Sequence, residues 1–378
     1  MAEKEGFYQR VVRNNNRKKI FRLIRKRRMI TKLEISQILG LSITTVSSNI
    51  KELIRKGFIK ESGYGESTGG RKAQLLEYLP DSRYSIGLEL KENHGRVILA
   101  DLDCNIIKEK VYTDLDLSNL VKCTIRILNS FIEEVNAGDK LLGIGISLPG
   151  TVDVEKSILE SAPNMGIKRA DLSKLRLAFG VPVFMDNEAN CSAYGEYEFM
   201  ELEDQPLFFI SVTEGIGGAI IVDKKLYNGK NHRAGEIGHI TINFEGENCS
   251  CGNKGCWERY ASVRALERMI SRKGLTEFSG LDEIFSAYSK NDAMKKIIDE
   301  YAANISYGIR NLLMIFDPSI IIIGGEICRY ENQLLPEIKR NVFQNNDFYV
   351  ETDVDIVFSV LKENSGIIGA VLFVIDNI

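Results

Sequence analysis

A histidine and three cysteines lie in one short stretch, GHITINFEGENCSCGNKGCWE, as His239, Cys249, Cys251 and Cys256. Their spacing is H-x9-C-x-C-x4-C, with the three cysteines inside eight positions. Two thiolates one residue apart, with Gly252 and Gly255 turning the chain back toward a third, reach three corners of a tetrahedron. His239 supplies the fourth. Three thiolates and an imidazole make a closed set of the kind that holds a structural Zn2+; a catalytic zinc keeps one position open. Glu236 stands just before the cluster and Glu258 just after it, so a bound ion would hold both carboxylates in place. The remaining cysteines, Cys104, Cys123, Cys191 and Cys328, are scattered and read as small buried hydrophobes. An odd total of seven makes no disulfide framework, and a reducing cytoplasm is the expected compartment.

A second polar set, Ser42, Thr44, Thr45, Ser47, Ser48 and Asn49, opens the amphipathic segment ITTVSSNIKELIRKG. Val46, Ile50, Leu53 and Ile54 form its inward stripe. Small hydroxylated residues on the outer face let a helix enter a major groove and bond to bases or phosphates. The elements that would position this helix are legible. Asn16 to Met29 reads as a helix with Ile20, Leu23, Ile24 and the stem of Arg27 on one side. Thr31 is an N-cap with Glu34 three residues on, a capping box that starts KLEISQILG. Leu41 and Ser42 make the turn, and Ser42 caps the next helix. This is helix–turn–helix spacing. Two β-prone arms follow, Phe58–Glu61 and Ala73–Leu79, around a Gly/Ser/Thr tip, the pattern of a winged hairpin. Arg71 and Lys72, just after Gly69 and Gly70, would enter a minor groove or clamp phosphates. Charge agrees: residues 1–79 hold 18 Lys and Arg against 7 Asp and Glu, and the remainder holds 31 against 45. A basic, nucleic-acid-binding head on an acidic body is expected, with Pro80 and Asp81 at the boundary.

Beyond residue 80 the chain alternates strands and helices. RYSIGLELKENHGRVILADLDCNIIKEKVY gives three strands, and an amphipathic helix follows near Leu117–Ala137. LLGIGISLPGTVD is a buried strand running into a Pro-Gly turn, and VPVFMDNEANCSAYGEYEF is a strand that opens into a helix. PLFFISVTEGIGGAIIVDKKLYNG and SIIIIGGEI supply the strands of a second set. Two βββαβα halves fit this order. The expected fold is α/β: an N-terminal winged helix–turn–helix (1–79) plus a duplicated ribonuclease-H-like, actin- and hexokinase-like body. Its lobes are 80–190 and 191–378, with the C-terminal helix returning to the first lobe. No apolar run has membrane-spanning length, and the N-terminus shows no signal peptide.

The segments GEIGH…C-x-C-G-N-x-G-C-x-E, DNEAN and SLPGTVD, with the GLS-x-x-TVS helix and GGR wing, resemble the ROK family of repressors and sugar kinases over nearly the whole chain. The branch most similar is that of repressors, including xylose repressors and glucose- or N-acetylglucosamine-linked regulators. The resemblance implies that Asn187, Glu188, Glu236, His239 and Glu258 bind a monosaccharide, with Gly150 and Asn164 as further contacts. It also exposes departures in the half of the site that would use ATP. Family kinases carry D-x-G-x-T where this chain has Glu89-Leu90-Lys91-Glu92-Asn93, and G-T-G-x-G-G where it has Thr213 to Gly218, with Glu214 facing the phosphates. The general base of the kinases is Asp; here Glu188 occupies that place, and its extra methylene displaces the carboxylate. A displacement of about 1 Å costs roughly 10²-fold in rate. The resemblance therefore implies a sugar-sensing repressor without catalysis, acting as a homodimer or dimer of dimers on a palindromic operator in response to glucose, xylose or a related aldose. The alternative is an active sugar kinase with an accessory DNA-binding head.

Overall fold

The computed structural model describes residues 2–65, 72–92, 94–202 and 205–377, with the side chains of residues 2–14 and of Asn164 excepted. Arg71 lies outside the described residues. The head comprises α1 (Ala2–Arg27), β1 (Met29–Thr31), α2 (Lys32–Leu39), α3 (Ile43–Arg55), β2 (Ile59–Tyr64) and β3 (Gln74–Tyr78). Both expected caps form: Thr31 accepts from the Glu34 amide while Glu34 reaches back to the Thr31 amide, and Ser42 accepts from the Thr45 amide. The wing arms β2 and β3 pair antiparallel, and Met29–Thr31, a three-residue strand that no sequence pattern marked, adds to β3. On α1 the buried stripe is Ile20, Phe21 and Ile24, whereas Arg27 is exposed. The larger apolar area of Phe21 displaces the aliphatic stem that the sequence had suggested.

The body contains two five-stranded sheets with one topology. The first is built from β4 (Tyr84–Leu90), β5 (Gly95–Asp101), β6 (Ile106–Tyr112), β7 (Leu141–Leu148) and β11 (Val183–Asn187) in the order β11-β7-β4-β5-β6. Helix α4 (Leu120–Val135) lies between β6 and β7. A small antiparallel sheet, β8 (Thr151–Asp153), β9 (Ile158–Ser161) and β10 (Ala170–Asp171), lies between β7 and β11. Helix α5 (Glu188–Phe199) follows β11 without a break. The second sheet contains β12 (Leu207–Val212), β13 (Ile216–Val222), β14 (Lys225–Leu226), β15 (Ile320–Gly325) and β16 (Asp355–Phe358), ordered β14-β13-β12-β15-β16. In each sheet an antiparallel meander is extended by two parallel strands, so the second sheet repeats the first. Strands β12 and β15 are apolar along their length because both faces are covered. Helices α6 (Glu258–Ala261), α7 (Val263–Arg272), α8 (Leu281–Ser286), α9 (Asp292–Phe316) and α10 (Glu331–Phe343) complete the second half.

The last helix, α11 (Ser365–Ile375), is apolar on nearly every side and is buried accordingly. It packs on β4 and β7 of the first sheet and along α5. Its outer face joins the head: Ile20, Phe21 and Ile24 of α1 share one core with Ile98, Ala100 and Leu102 and with Ile367, Ile368, Val371, Leu372 and Ile375. Several head cations are engaged by the acidic body. Arg22 donates to Asp376 at 2.8 Å, Arg25 lies 3.6 Å from Asp103, and Lys26 pairs with Glu201. The basic surplus of the head therefore serves docking as well as any nucleic acid. Among the described residues no helix is long and apolar enough to cross a membrane.

Candidate metal centre and cleft

The stretch between β14 and α6 folds as a compact knuckle. Gly252 and Gly255 both take positive φ, 92° and 67°, and return the chain so that the Cys249 amide donates to the Asn253 carbonyl. The ligand atoms of His239, Cys249, Cys251 and Cys256 all lie within 4.8 Å of one another. His239 Nδ1 is 3.6 Å from Cys249 Sγ, and Cys251 Sγ is 3.6 Å from Cys256 Sγ. Zinc bonds of roughly 2.3 Å to sulfur and 2.0 Å to nitrogen put tetrahedral edges at about 3.5–3.8 Å, so the donors fit a zinc-sized cation. Because Nδ1 faces the thiols, Nε2 is the ring atom left for another partner. Glu258 borders the same centre: its Oε1 accepts from Cys249 Sγ at 3.0 Å and lies 3.6 Å from His239 Nδ1. The knuckle rests on Trp257, which is fully buried and whose indole donates to the Asn304 carbonyl of α9.

The cleft between the lobes gathers most of the remaining expected residues. Asn187 caps α5 by accepting from the Asn190 amide, and Glu188 begins the helix. The Glu188 carboxylate accepts from Ser192, one turn on, and from Ser211 of β12, each at about 3.0 Å. Gly150 forms the turn between β7 and β8. Glu236 is brought against that turn from the second lobe and accepts from Thr151 Oγ1 at 2.7 Å. Asn164 lies in the short turn Pro163–Met165, and its side chain is outside the described residues. Further cross-lobe partners carried no sequence signal of their own. His232 Nε2 is 3.6 Å from Asp153, and Asn190 donates to Asn228 at 3.2 Å. Thr151 and Asn190 fall inside the SLPGTVD and DNEAN motifs; His232 and Asn228 could not be paired with them before the two lobes were placed.

Asp186, at the end of β11, is only 6% exposed. Burial pushes its carboxyl up to about 6 even though it accepts from the Asn187 amide and the Asn190 side chain. An acid raised above its unfolded value adds to stability while protonated, and that contribution is lost as pH rises through the folded value. The Tm of the wild type should therefore fall relative to Asp186→Asn as pH goes from 5 to 8. Parallel pH profiles for the two proteins, by calorimetry, would show that Asp186 does not titrate in this range.

The part of the cleft around Glu89 and Glu214 is crowded with carboxylates. Glu89 is buried, which pushes its carboxyl up; Lys91 opposes this and Glu188 adds to it. Burial likewise raises Glu326, with Glu214, Glu267 and Glu188 acting against its ionisation. Arg264 pairs with Glu214 and lies 3.7 Å from Glu92, so it ties the turn between β12 and β13 to the segment after β4.

In the head, Thr44 and Ser48 are exposed on α3, Ser42 is exposed at its cap, and Thr45 and Ser47 are half-buried. Lys72 is exposed beside the wing. Asn49 corrects the expectation. It is 2% exposed, and its amide donates to the Thr45 carbonyl at 2.8 Å. Three residues after Val46 and four before Leu53, it falls on the inward face by helical period. It is a core residue of the head.

Comparison with known proteins agrees with this architecture. The model of the ROK family matches residues 85–377, and a winged helix-turn-helix DNA-binding model matches residues 13–60. A xylose repressor of Caldicellulosiruptor bescii is 32% identical over 382 residues, covering 96% of each chain. Among solved structures, a ROK family transcriptional regulator described as a homolog of the Escherichia coli MLC protein superimposes with a TM-score of 0.84. It covers 97% of both chains at 23% identity. A ROK family glucokinase from Streptomyces griseus, in complex with glucose and AMPPNP, covers 77% of this chain and 98% of its own, with a TM-score of 0.65 and 24% identity. The second similarity is to the body alone, and the first extends through the winged head. A chain with this duplicated body, its His-Cys knuckle and a winged helix–turn–helix in front of them belongs to the ROK family.

Proposed function

We propose that the protein is a sugar-responsive transcriptional repressor of carbohydrate-utilisation genes. The observation that carries this reading is the asymmetry of the cleft. The sugar side keeps Asn187, Glu188, Glu236, His239 and Glu258, while the nucleotide corner holds Glu89, Glu214 and Glu326. A triphosphate brought there would meet the raised carboxyls of Glu89 and Glu326 and a Glu214 already paired with Arg264, rather than backbone amides. Carboxylates and an imidazole suit vicinal hydroxyls, which are donors and acceptors at once. Asn187, Glu188, Glu236, His239 and Glu258 orient the sugar, with Gly150 and Asn164 as further contacts. His239 would hold a zinc ion through Nδ1, with Cys249, Cys251 and Cys256, and leave Nε2 for a sugar hydroxyl. The ion supplies rigidity; no step of chemistry passes through it. The protein does not phosphorylate the sugar.

Residues 1–79 form the reading head, 80–190 and 191–378 the two lobes. Ser42 at the cap of α3, Thr44, Thr45, Ser47 and Ser48 on it, together with Arg71 and Lys72, meet the operator. Two copies related by a two-fold axis read the two half-sites, in the cytoplasm where the thiols stay reduced. The name of the Caldicellulosiruptor relative makes D-xylose the first sugar to test, with D-glucose, D-mannose and N-acetylglucosamine beside it. Titration calorimetry against these four sugars, together with DNA binding on duplexes selected by the protein from a randomised pool, tests the reading. One sugar should bind and release the duplex, and coupled ADP-release assays should show no turnover. Turnover at ordinary kinase rates would replace the repressor with a sugar kinase carrying a DNA-binding head. Ser48→Glu, which sets a carboxylate on the exposed face of α3, should weaken duplex binding by on the order of 100-fold and leave sugar binding unchanged. Equal duplex binding would remove α3 from the interface.

A further inference from the structure

Helix α5 has the cleft at one end and the DNA-binding head at the other. At its N-terminus, Asn187 and Glu188 face the second lobe, and Glu188 is held by Ser211 of β12. Two turns on, the Tyr194 hydroxyl donates to Asp376 just after α11, and Arg22 of α1 donates to the same Asp376 oxygen at 2.8 Å. Arg22 also donates to the Tyr194 oxygen at 3.2 Å and lies 2.8 Å from Glu198 in the last turn of α5. Asp376 is 5% exposed, so this junction is shielded from solvent on the body side. The Tyr194 ring stacks on Phe373 of α11 with centroids 4.6 Å apart.

Helices α5 and α11 have no freedom to slide past one another. A Cβ on Gly369 would lie 1.7 Å from the Cys191 carbonyl oxygen, and one on Gly195 would lie 2.8 Å from that of Ser365. Backbone therefore meets backbone, and close-packed elements of this kind move as a unit. At about 1.5 Å of rise per residue, Glu188 and Glu198 are separated by roughly 15 Å along the axis. Any tilt of α5 set by what its N-terminus binds must reappear at Tyr194, Glu198 and Asp376. Those three residues seat Arg22, and α1 around Arg22 shares its core with α11.

We infer that α5, clamped to α11, is the lever by which the cleft sets the position of the DNA-binding head, with Tyr194, Asp376 and Glu198 as the positioning residues for Arg22. This inference rests on the proposed function, because it needs both a sugar and an operator. The lever differs from a rigid mount in joining the site of one ligand to the domain that binds another. Coupling between two ligands is reciprocal: the factor by which sugar weakens DNA binding equals the factor by which DNA weakens sugar binding.

The test uses the full zinc-loaded chain, the four sugars named above, and a duplex selected by the wild type from a randomised pool. Tyr194→Phe keeps the ring on Phe373 and removes the hydroxyl; Asp376→Asn keeps the shape and removes the charge. In both variants, sugar affinity without DNA and DNA affinity without sugar should stay within about threefold of wild type. The coupling factor, measured in both directions, should fall at least about fivefold. A residue that merely supported the fold would lower Tm and both affinities and leave their ratio intact. Two results overturn the inference differently. A wild type whose DNA binding ignores all four sugars removes the proposed function and the lever together. A responsive wild type with equally responsive Tyr194→Phe and Asp376→Asn variants removes the lever alone.

Discussion

Cys251→Ser should yield a protein that neither retains a stoichiometric metal ion nor responds to sugar. Cys251 is the exposed member of the four, so its replacement leaves the body core intact. A serine hydroxyl is a poor substitute for a thiolate at a soft cation, and the apparent binding free energy of a structural zinc, about 10–16 kcal/mol in small zinc peptides, is folding free energy for the segment that holds it. Here that segment is the loop from His239 to Cys256, and its loss frees both His239 and Glu258, whose Oε1 lies 3.0 Å from Cys249 Sγ. Sugar affinity should fall by on the order of 100-fold or more, as expected when two orienting groups are displaced by about 1 Å. DNA binding should persist, because the head and its seat on α11 lie outside the knuckle. The checks are metal content by atomic emission, sugar calorimetry and duplex binding. A metal-free variant that still responds fully to sugar would sink the structural role of the cation.

Glu236→Ala should make DNA binding constitutive. Charge-assisted hydrogen bonds contribute roughly 1.5–3 kcal/mol each, and a carboxylate bridging two vicinal hydroxyls makes two of them. At about 1.4 kcal/mol per decade, the loss in sugar affinity is on the order of 10²–10⁴-fold. Thr151→Val serves as the control. It keeps the shape of the threonine and removes the 2.7 Å donor to Glu236 across the cleft. Sugar affinity in that variant should stay within about threefold, because a carboxylate has lone pairs for more than one donor. Should Thr151→Val lose as much affinity as Glu236→Ala, Glu236 would be a cross-lobe brace rather than a sugar ligand. Calorimetry on the two variants distinguishes the cases.

The residues of the metal centre were legible before any fold was known. His239, Cys249, Cys251 and Cys256 are close in the chain, and the two glycines among the cysteines set the turns, so proximity in sequence becomes proximity in space. The caps at Thr31 and Ser42 were legible for the same reason: each involves atoms three residues apart. The run Ile320–Ile323 marked a strand of the second set, and the order of elements fitted two similar halves. Asn49 marks where this reading fails. Residue type placed it with the polar outer set, but the helical period turns it inward, where the Thr45 carbonyl satisfies it. The basic surplus of residues 1–79 was read as pointing to nucleic acid, yet Arg22, Arg25 and Lys26 meet carboxylates of the body.

What the sequence by itself determined is therefore the set of parts whose geometry closes within a few residues: the knuckle, the caps, the wing hairpin and the strand pattern. Only the tertiary structure decided how those parts are joined. Thr151 meets Glu236, His232 meets Asp153, and Arg22 meets Asp376 across 354 positions of chain. Such pairs depend on which distant apolar faces share a core. Here α11 leaves the second half of the chain, covers the first sheet, and offers its remaining face to the head. Burial of apolar area drives that choice and is indifferent to order along the chain; the return of α11 to the first lobe was expected, but no local pattern announced the seat it gives the head.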